Sequence, residues 1–171
     1  MVFFHGKKLI RLISLRNNNL MKIILIMGLP GSGKTTLARR LQEILGNAVV
    51  TNADEVRTKF KDWDFTLEGR ERQMKRMQDY VRKSVAKGNY GIADFVCPTN
   101  ELREKFMPEY VIWMNTIEEG RFEDTNKVFE RPQVADYFVH EQRGDIDAKI
   151  IAYEIGQRFI WDNQAPTTQM L

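Results

Sequence analysis

The sequence predicts a three-layer α/β/α sandwich around a parallel sheet of about five strands. Short apolar runs alternate with longer segments of helical periodicity along the 171 residues, as in successive strand–helix–strand units. The stretch Gly28–Thr35 matches the pattern G-x-x-x-x-G-K-[ST]. It lies between an apolar run at 23–27 and an amphipathic run at 36–45, which are the strand and the helix that this pattern requires. A chain of this length suits one domain with its own core.

Each strand is predicted from a short apolar run bounded by polar or glycine-containing turns. The strands are expected at 23–27, 48–51, 90–96, 110–114 and 136–139. The first helix, 36–45, is expected to end at Gly46, and a closing helix covers about 146–160. The stretch 115–135 is polar, and no regular element is predicted there.

A long helix is predicted between the second and third strands. Thr66 is its expected N-cap, Lys87 its last residue and Gly88 its stop. The arginines and lysines on its outer faces are interpreted as solvated charge. Its buried stripe is expected to consist of Met74, Met77, Val81 and Val85.

The glycine-rich loop has the chemistry of a polyphosphate site, and it predicts the P-loop NTPase fold. Glycines let the backbone curl so that successive N–H groups point inward, and the following helix adds partial positive charge. Lys34 is expected to reach the β- and γ-phosphates of ATP or GTP, and Thr35 to offer its hydroxyl to Mg²⁺. The alternative is a glycine-rich turn without a ligand. Nucleotide contacts are assigned to Gly28, Leu29, Pro30, Gly31, Ser32, Gly33, Lys34, Thr35 and Thr36.

Composition excludes several classes of protein. Hydrophobic residues make up 43% and charged residues 29% of the chain, which is usual for a soluble globular domain. No apolar run approaches the ~20 residues that span a bilayer, so no membrane partner is expected. The single cysteine, Cys97, rules out an intrachain disulfide and suits a cytoplasmic location.

Positive charge is concentrated at the start of the chain. Residues 1–20 carry four basic residues and no acid, whereas the whole chain has a net charge of +3, so residues 21–171 sum to −1. This distribution keeps nucleic acid as a possible partner but does not favour it. Residues 1–20 are interpreted as a basic surface helix, a targeting segment or, as we favour, translated upstream sequence. The domain is expected at 21–163, with a flexible tail at 164–171.

Charged residues lie at the ends of two predicted strands. Asp54 and Arg57 follow the second strand, and Asp94, a candidate magnesium ligand, lies in the third. The carboxyl ends of parallel strands form the ligand-binding edge of open α/β sheets. An acceptor hydroxyl needs a nearby carboxylate, and an anionic acceptor needs arginines. Because the sequence lacks an N-K-x-D-like guanine-binding pattern and a strand ending in paired acids, phosphoryl transfer to a small acceptor is favoured.

Beyond the P-loop, the chain resembles the adenylylsulfate (APS) kinase family over roughly residues 22–160. The family pattern D-G-D-N-x-R corresponds to 52–57, which implies that Asp54 is the catalytic acid and that Arg57 binds substrate. The pattern G-F-S-x-x-D-R-x-E-N-I-R-R corresponds to 64–76. It implies that Phe65 stacks on the substrate adenine and that Arg70 and Gln73 also contact the substrate.

Two later patterns extend the resemblance. The family's F-I-S-P-x-R-x-D-R resembles 95–103. It implies that Cys97, in place of serine, is a substrate-binding position and that Arg103 is a ligand of the phosphosulfate. The pattern K-G-F-T-G-I-D-S-P-Y-E-P-P resembles 120–132, which implies that Phe122 is the second adenine-stacking residue. The resemblance therefore implies an Mg-ATP-dependent kinase of sulfate assimilation that phosphorylates the 3′-hydroxyl of APS to give PAPS. Lys34 and Asp54 would be its catalytic residues.

Departures from the family pattern bear on activity. The family's Asp, Asn and Arg at three positions are replaced by Asn52, Gln73 and Asn100. Before Phe122 the family carries an arginine-bearing lid of about twenty residues, and only 115–121 fills that gap here. A short lid predicts a slow enzyme, a cation supplied by a partner or an acceptor too large to be enclosed. Arg121 and Arg131 are the candidate substitutes for the lid arginines.

Other interpretations stay open. The acceptor could instead be a polynucleotide hydroxyl or a hydroxymethylated base in DNA, or the chain could be a nucleotide-binding regulatory module without turnover. A homodimer is also possible. Among single residues, Asp54 could cap a helix, Arg57 could form a surface ion pair and Asp94 could make a loop contact. Phe65 and Phe122 could be core residues.

Overall fold

The computed structural model describes residues 22–164. The predicted leader at 1–20 lies outside these residues, as does all but the first residue of the predicted tail at 164–171. The domain boundaries therefore remain predictions. The five strands are β1 (Ile23–Gly28), β2 (Ala48–Asn52), β3 (Tyr90–Asp94), β4 (Tyr110–Met114) and β5 (Tyr137–Val139).

All neighbouring strands are parallel, in the spatial order β2-β3-β1-β4-β5. Within the described range, α1 spans Lys34–Leu45, α2 Ala53–Phe60, α3 Leu67–Ala86, α4 Asn100–Phe106, α5 Glu123–Val128 and α6 Asp145–Gln164. Helices that cross between parallel strands must cover the faces of the sheet. The predicted fold class is confirmed.

The core has two halves, one on each face of the sheet. Along β1, Ile24 and Ile26 pack with α1 and α6, whereas Leu25 and Met27 pack with α3 and α4. This alternation follows from the two-residue period of a strand buried on both faces. The sheet therefore holds the carboxyl ends of its strands in fixed positions between two helical layers.

Several predicted boundaries are confirmed, and three short helices have no predicted bounds. Thr66 caps α3, because its hydroxyl accepts from the Gly69 N–H at 3.2 Å, and Gly46 ends α1 with φ of +73°. In the predicted stripe of α3, Met74, Met77 and Val81 are buried and Val85 is half-buried. The helices α2, α4 and α5 have six to eight residues, too few to display a clear apolar period. Within the described range, no helix has the length and apolar character that a membrane span requires.

Candidate active site at the carboxyl ends of the strands

The P-loop curls at the end of β1 because its glycines adopt backbone angles that other residues avoid. Gly31 and Gly33 have φ of +93° and +95°. At Gly28, an added Cβ would lie 2.6 Å from the carbonyl oxygen of Met114 in the neighbouring strand. The Thr116 hydroxyl donates to the Ser32 carbonyl at 2.7 Å, which anchors the loop to the segment after β4.

Lys34, the first residue of α1, places an ammonium group inside this curl. Its side chain is only 8% exposed, and its Nζ donates to the Leu29 carbonyl at 2.8 Å. Burial lowers the pKa of Lys34, and the nearby Asp94 and Asp54 carboxylates oppose that shift. The loop therefore presents a largely desolvated cation, together with backbone N–H groups, to an anionic ligand.

Thr35 and Asp94 meet beside this lysine. The Thr35 hydroxyl donates to Asp94 Oδ2 at 2.6 Å, and the Asn52 amide donates to the same oxygen at 2.7 Å. Asp94 is 2% exposed, so its carboxylate lies at the base of the site. Within the described residues, no group of three or more His, Cys, Asp and Glu side chains could hold a metal ion. Magnesium in nucleotide sites needs only one or two protein oxygens besides the phosphates, so Thr35 and Asp94 fit this ion.

Asp54 lies in the first turn of α2, and its side chain is exposed. The cap of α2 is Asn52, whose Oδ1 accepts from the N–H groups of Asp54 at 3.0 Å and Glu55 at 3.2 Å. The Asp54 carboxylate is therefore not the cap of α2, which excludes the alternative considered for it. The Asn52 side chain both caps α2 and donates to Asp94. The sequence pattern did not indicate this double role.

One cleft of about 570 Å³ brings most of the predicted site together. Its walls come from the P-loop, the ends of β2 and β3, the segment before α3 and the start of α5. The predicted site residues that line it are Pro30, Gly31, Gly33, Lys34, Thr35, Thr36, Asp54, Phe65, Arg70, Asp94 and Phe122. Leu29 lines a neighbouring cavity of about 240 Å³, while Gly28 and Ser32 of the loop are buried and do not line the cleft.

Two arginines that were predicted to bind the substrate donate instead to backbone carbonyls. Arg57 is 5% exposed, and its Nη1 donates to the carbonyls of Asp62 and Asp64, both at 3.0 Å. Arg103 is 7% exposed and donates to the carbonyls of Cys97, Pro98 and Glu130. Neither arginine lines the cleft, and neither forms a surface ion pair.

Gln73 and Cys97 also lie behind the cleft wall. Gln73 is 3% exposed and donates to the Ala53 carbonyl at 3.0 Å, which ties α3 to the start of α2. The Cys97 side chain is fully buried, and burial raises the pKa of its thiol to about 12. Their contribution to the cleft is therefore through packing and hydrogen bonds to its wall.

The two predicted stacking residues are exposed in the cleft, which excludes the alternative that they belong to the core. Phe65 is 46% and Phe122 is 54% exposed. The guanidinium of Arg57 lies 4.4 Å from the centroid of the Phe65 ring, so this cation stacks on the ring from within the protein. Apolar rings held at the surface of a cleft suit a flat ligand.

Arg70 reaches the cleft from α3. Its Nε donates to the Phe65 carbonyl at 2.8 Å, and its Nη2 donates to Thr125 Oγ1 at 3.2 Å and Asp124 Oδ2 at 3.4 Å. Burial lowers the pKa of Arg70, and the Asp124 carboxylate opposes that shift. One face of the cleft therefore carries an arginine whose charge is partly balanced by an acid at its rim.

The cleft contains residues that sequence patterns missed. Trp63 and Asp124 line it, as does Arg121, one of the two proposed substitutes for lid arginines. Arg131, the other substitute, lines the neighbouring cavity instead. One sequence signal could have indicated Trp63, because this residue lies between two aspartates in a loop that precedes a capped helix. Asp124 belongs to α5, which was not predicted.

Comparisons with known proteins agree with this architecture. The profile of the AAA domain family matches residues 24–139. Over 86 residues, the chain is 38% identical to the "Probable adenylyl-sulfate kinase" of Aeropyrum pernix. That match covers 47% of this chain and 47% of the relative, so it spans about half of each protein. The predicted resemblance to an APS kinase-like family is confirmed.

Solved structures of small kinases share the fold. Two structures of the Mycobacterium tuberculosis APS kinase have TM-scores of 0.64 and 0.61, at 19% and 15% identity. The two matches cover 79% and 81% of this chain, and 97% and 99% of the solved chains, respectively. The second structure is a complex with AMPPNP and APS. Shikimate kinase from Acinetobacter baumannii has a TM-score of 0.51 at 20% identity, covering 89% of this chain and 99% of that one.

Proposed function

Because the chain belongs to the AAA domain family and resembles APS kinases, we propose that it is an Mg-ATP-dependent kinase of a hydroxyl group. The acceptor that we propose is the 3′-hydroxyl of APS, which would give PAPS. The relative named as a probable adenylyl-sulfate kinase supports this acceptor. The chain also shares its fold with an APS kinase whose structure was solved in complex with AMPPNP and APS.

One observation carries the proposal: a cation for the phosphates and a carboxylate for the acceptor line the same cleft. Lys34 lies in the P-loop curl, and Asp54 is exposed in the first turn of α2. Phosphoryl transfer depends on positioning and on charge stabilisation, and both requirements are served by fixed groups on one face. A nucleotide-binding module without turnover has no comparable need for an exposed acid there.

We assign the chemical step to these residues as follows. Asp54 accepts the proton of the acceptor hydroxyl as its oxygen attacks the γ-phosphorus. Lys34 and the N–H groups of the P-loop stabilise the charge that moves onto the β–γ bridging oxygen as that bond breaks and ADP leaves. Mg²⁺ held by Thr35 and Asp94 would neutralise charge on the phosphates.

The remaining cleft residues suit a nucleotide-like acceptor. Phe65 and Phe122 offer exposed aromatic surface for an adenine ring. Arg70 offers a guanidinium for the anionic part, and Arg121 is the available cation in place of a lid arginine. Arg57, Gln73, Cys97 and Arg103 are proposed to support the wall of the cleft rather than to touch the acceptor.

A second candidate acceptor is a polynucleotide hydroxyl. It is favoured by the engagement of Arg57 and Arg103 with backbone carbonyls, since these are the arginines that would otherwise hold a phosphosulfate. The short segment 115–121 also leaves the cleft without a long lid that would exclude a large acceptor.

The two acceptors are separated by direct assay. The purified chain is incubated with Mg²⁺ and ATP labelled on the γ-phosphate, and with either APS or a single-stranded oligonucleotide bearing free hydroxyls. Labelled PAPS supports the first acceptor, and labelled oligonucleotide the second. ATP binding without transfer to either acceptor contradicts the kinase assignment. The Lys34→Ala variant serves as the background control.

A further inference from the structure

Trp63 is the largest apolar side chain that lines the cleft, and no sequence pattern assigned it a role. It is 52% exposed, although tryptophan is usually well buried. Its ring centroid lies 6.4 Å from that of Phe65, with 44° between the ring planes. Trp63 and Phe65 therefore form an aromatic corner in the wall of the cleft.

The exposure of Trp63 does not come from a loose loop, because the backbone on both sides of it is held by Arg57. The Arg57 Nη1 donates to the carbonyl of Asp62 and to the carbonyl of Asp64, each at 3.0 Å. Arg57 is itself 5% exposed, so the donor of both bonds is buried. The residue between the two carbonyls is thereby fixed in position while its ring remains exposed in the cleft.

The side chains of the flanking aspartates add to this rigidity. Asp62 accepts from Arg76 at 2.8 Å and also pairs with Arg72. Asp64 accepts from Arg72 at 2.8 Å and from the Thr66 N–H at 2.9 Å. Networks of charges with defined geometry restrict a loop more than single surface ion pairs do. An exposed ring on a restrained backbone loses less entropy on binding a ligand than one on a mobile loop, which favours recognition.

We propose that Trp63 is a specificity-determining residue that binds the flat heteroaromatic ring of the acceptor. This inference rests on the proposed kinase function and adds Trp63 to the residues that select an acceptor carrying a nucleobase. Two rings inclined at 44° cannot both stack on one planar ligand. In the proposed arrangement Trp63 contacts the face of the base and Phe65 its edge, a geometry that aromatic rings favour.

Alanine and phenylalanine variants of Trp63 test this role. Trp63→Ala is expected to raise the KM for APS by about 10- to 100-fold, the scale of one lost base–aromatic stack, without a matching change in the KM for ATP. Trp63→Phe keeps a flat ring and is expected to remain within about fivefold of the wild type. Melting temperatures of both variants should match the wild type, because the loop is held by its backbone and by the aspartates.

Phe60→Ala is the matched control. Phe60 is 46% exposed near the end of α2, and its ring stacks at 4.3 Å on the Arg76 guanidinium. It does not line the cleft, so its removal should leave the KM values for ATP and APS unchanged. An equal increase in the KM for APS in Phe60→Ala and Trp63→Ala would overturn the inference, since the effect would then be structural.

Equilibrium binding separates this inference from the proposed function. Quenching of tryptophan fluorescence by APS, adenosine or a single-stranded oligonucleotide needs no turnover. Trp63-dependent quenching without phosphoryl transfer upholds the binding role and contradicts the kinase assignment. Transfer to APS that is indifferent to Trp63→Ala overturns the inference and leaves the kinase assignment intact. The inference is also overturned if Trp63→Ala leaves the quenching by all three probes and the KM values unchanged. Phosphoryl transfer to shikimate that is as efficient as transfer to APS would overturn it as well.

Discussion

The Asn52 amide donates to Asp94 Oδ2 at 2.7 Å and so joins the ends of β2 and β3. The oxygen of the same amide caps α2, the helix that carries Asp54. One side chain thus connects the candidate catalytic acid to the candidate magnesium ligand. Both contacts need a group that donates on one side and accepts on the other, which an amide provides.

This relationship predicts the effect of Asn52→Asp, which introduces the acid found in the APS kinase pattern. A carboxylate still accepts the cap hydrogen bonds but cannot donate to Asp94, and the two negative charges repel each other. The free energy of unfolding at neutral pH without Mg²⁺ should fall by about 1–3 kcal/mol, the usual cost of losing a hydrogen bond to a charged group. Urea unfolding measures this change.

Added Mg²⁺ should raise the stability of Asn52→Asp more than that of the wild type, because a divalent cation relieves the repulsion. Asn52→Ala is the control, since it loses the cap without adding charge and should gain no extra response to Mg²⁺. Equal responses to Mg²⁺ in all three proteins would argue against a cation near Asp94.

Asp54→Asn tests the candidate catalytic acid. Turnover should fall by about 10²-fold or more, the scale of a lost general base, while the affinity for ATP stays near that of the wild type. Asn52 supplies the cap of α2, so the melting temperature should change little. The measurements are kcat with the acceptor that the labelling assay selects and ATP binding by calorimetry.

Glu55→Gln is the matched control for that variant. Glu55 is the next residue of α2, is also exposed and also donates its N–H to Asn52 Oδ1. Its neutralisation should leave turnover within about twofold, since surface substitutions away from a site have small effects. Wild-type turnover in Asp54→Asn would remove this residue from the mechanism.

Lys34→Ala should reduce phosphoryl transfer by at least about 10²-fold, because it removes a preorganised cation from the transferred phosphate. The readout is ADP and phosphorylated acceptor formed at saturating ATP. Arg39→Ala, an exposed position on the same helix, should retain wild-type activity. Full activity in Lys34→Ala would exclude the P-loop from the reaction.

Asp62 gives a prediction about acid stability. Hydrogen bonds from Arg72 and Arg76 lower the pKa of Asp62 from 3.8 to about 2 in the folded protein. A carboxyl with a lowered folded pKa stabilises the protein above its unfolded pKa, and this contribution is lost as the pH falls through the folded value. The stability difference between wild type and Asp62→Asn should therefore be constant above pH 3.8 and shrink toward pH 2.

Urea unfolding of both proteins over this pH range measures that difference. For Asp79→Asn, at an exposed position of α3, the stability difference from wild type should not shrink as the pH falls. If the difference in free energy of unfolding between wild type and Asp62→Asn stays constant down to pH 2, the ion pairs of Asp62 with Arg72 and Arg76 do not stabilise the fold.

Cys97 should resist thiol reagents in the folded protein. Its side chain is fully buried, and burial raises the pKa of the thiol to about 12, so little thiolate is present and access is blocked. At pH 8, alkylation followed by mass spectrometry should be at least about 10²-fold slower than in guanidinium chloride. Because the chain has one cysteine, the unfolded control yields a single adduct. Rapid labelling of the native protein would show that the wall of the cleft opens.

Local patterns predicted the features that depend on few neighbouring residues. The glycines, Lys34 and Thr35 of the P-loop follow from the backbone angles and charges that a phosphate needs. The strands follow from apolar runs, and the end of β2 predicted that Asp54 would approach the same edge as the loop. These inferences required only chain order and the geometry of a parallel sheet.

Other residues could not be assigned from the sequence because their hydrogen-bond partners are chosen by the packed chain. Arg57 lies at a position that suggests an anion ligand, yet its guanidinium donates to the carbonyls of Asp62 and Asp64. It therefore holds the backbone on both sides of Trp63. Arg103 is satisfied in the same way by backbone carbonyls. A buried guanidinium must pair with whatever acceptors surround it, and those acceptors come from folding.

The sequence by itself determined the α/β/α sandwich, the P-loop and the carboxylate beside it, because each depends on local backbone geometry or on the alternation of strands and helices. Only the tertiary structure decided which arginines remain available to a ligand, that Asn52 rather than Asp54 caps α2, and that Trp63 lies in the cleft. Those outcomes depend on contacts between residues on different elements, whose competition for partners is resolved only when the elements pack together.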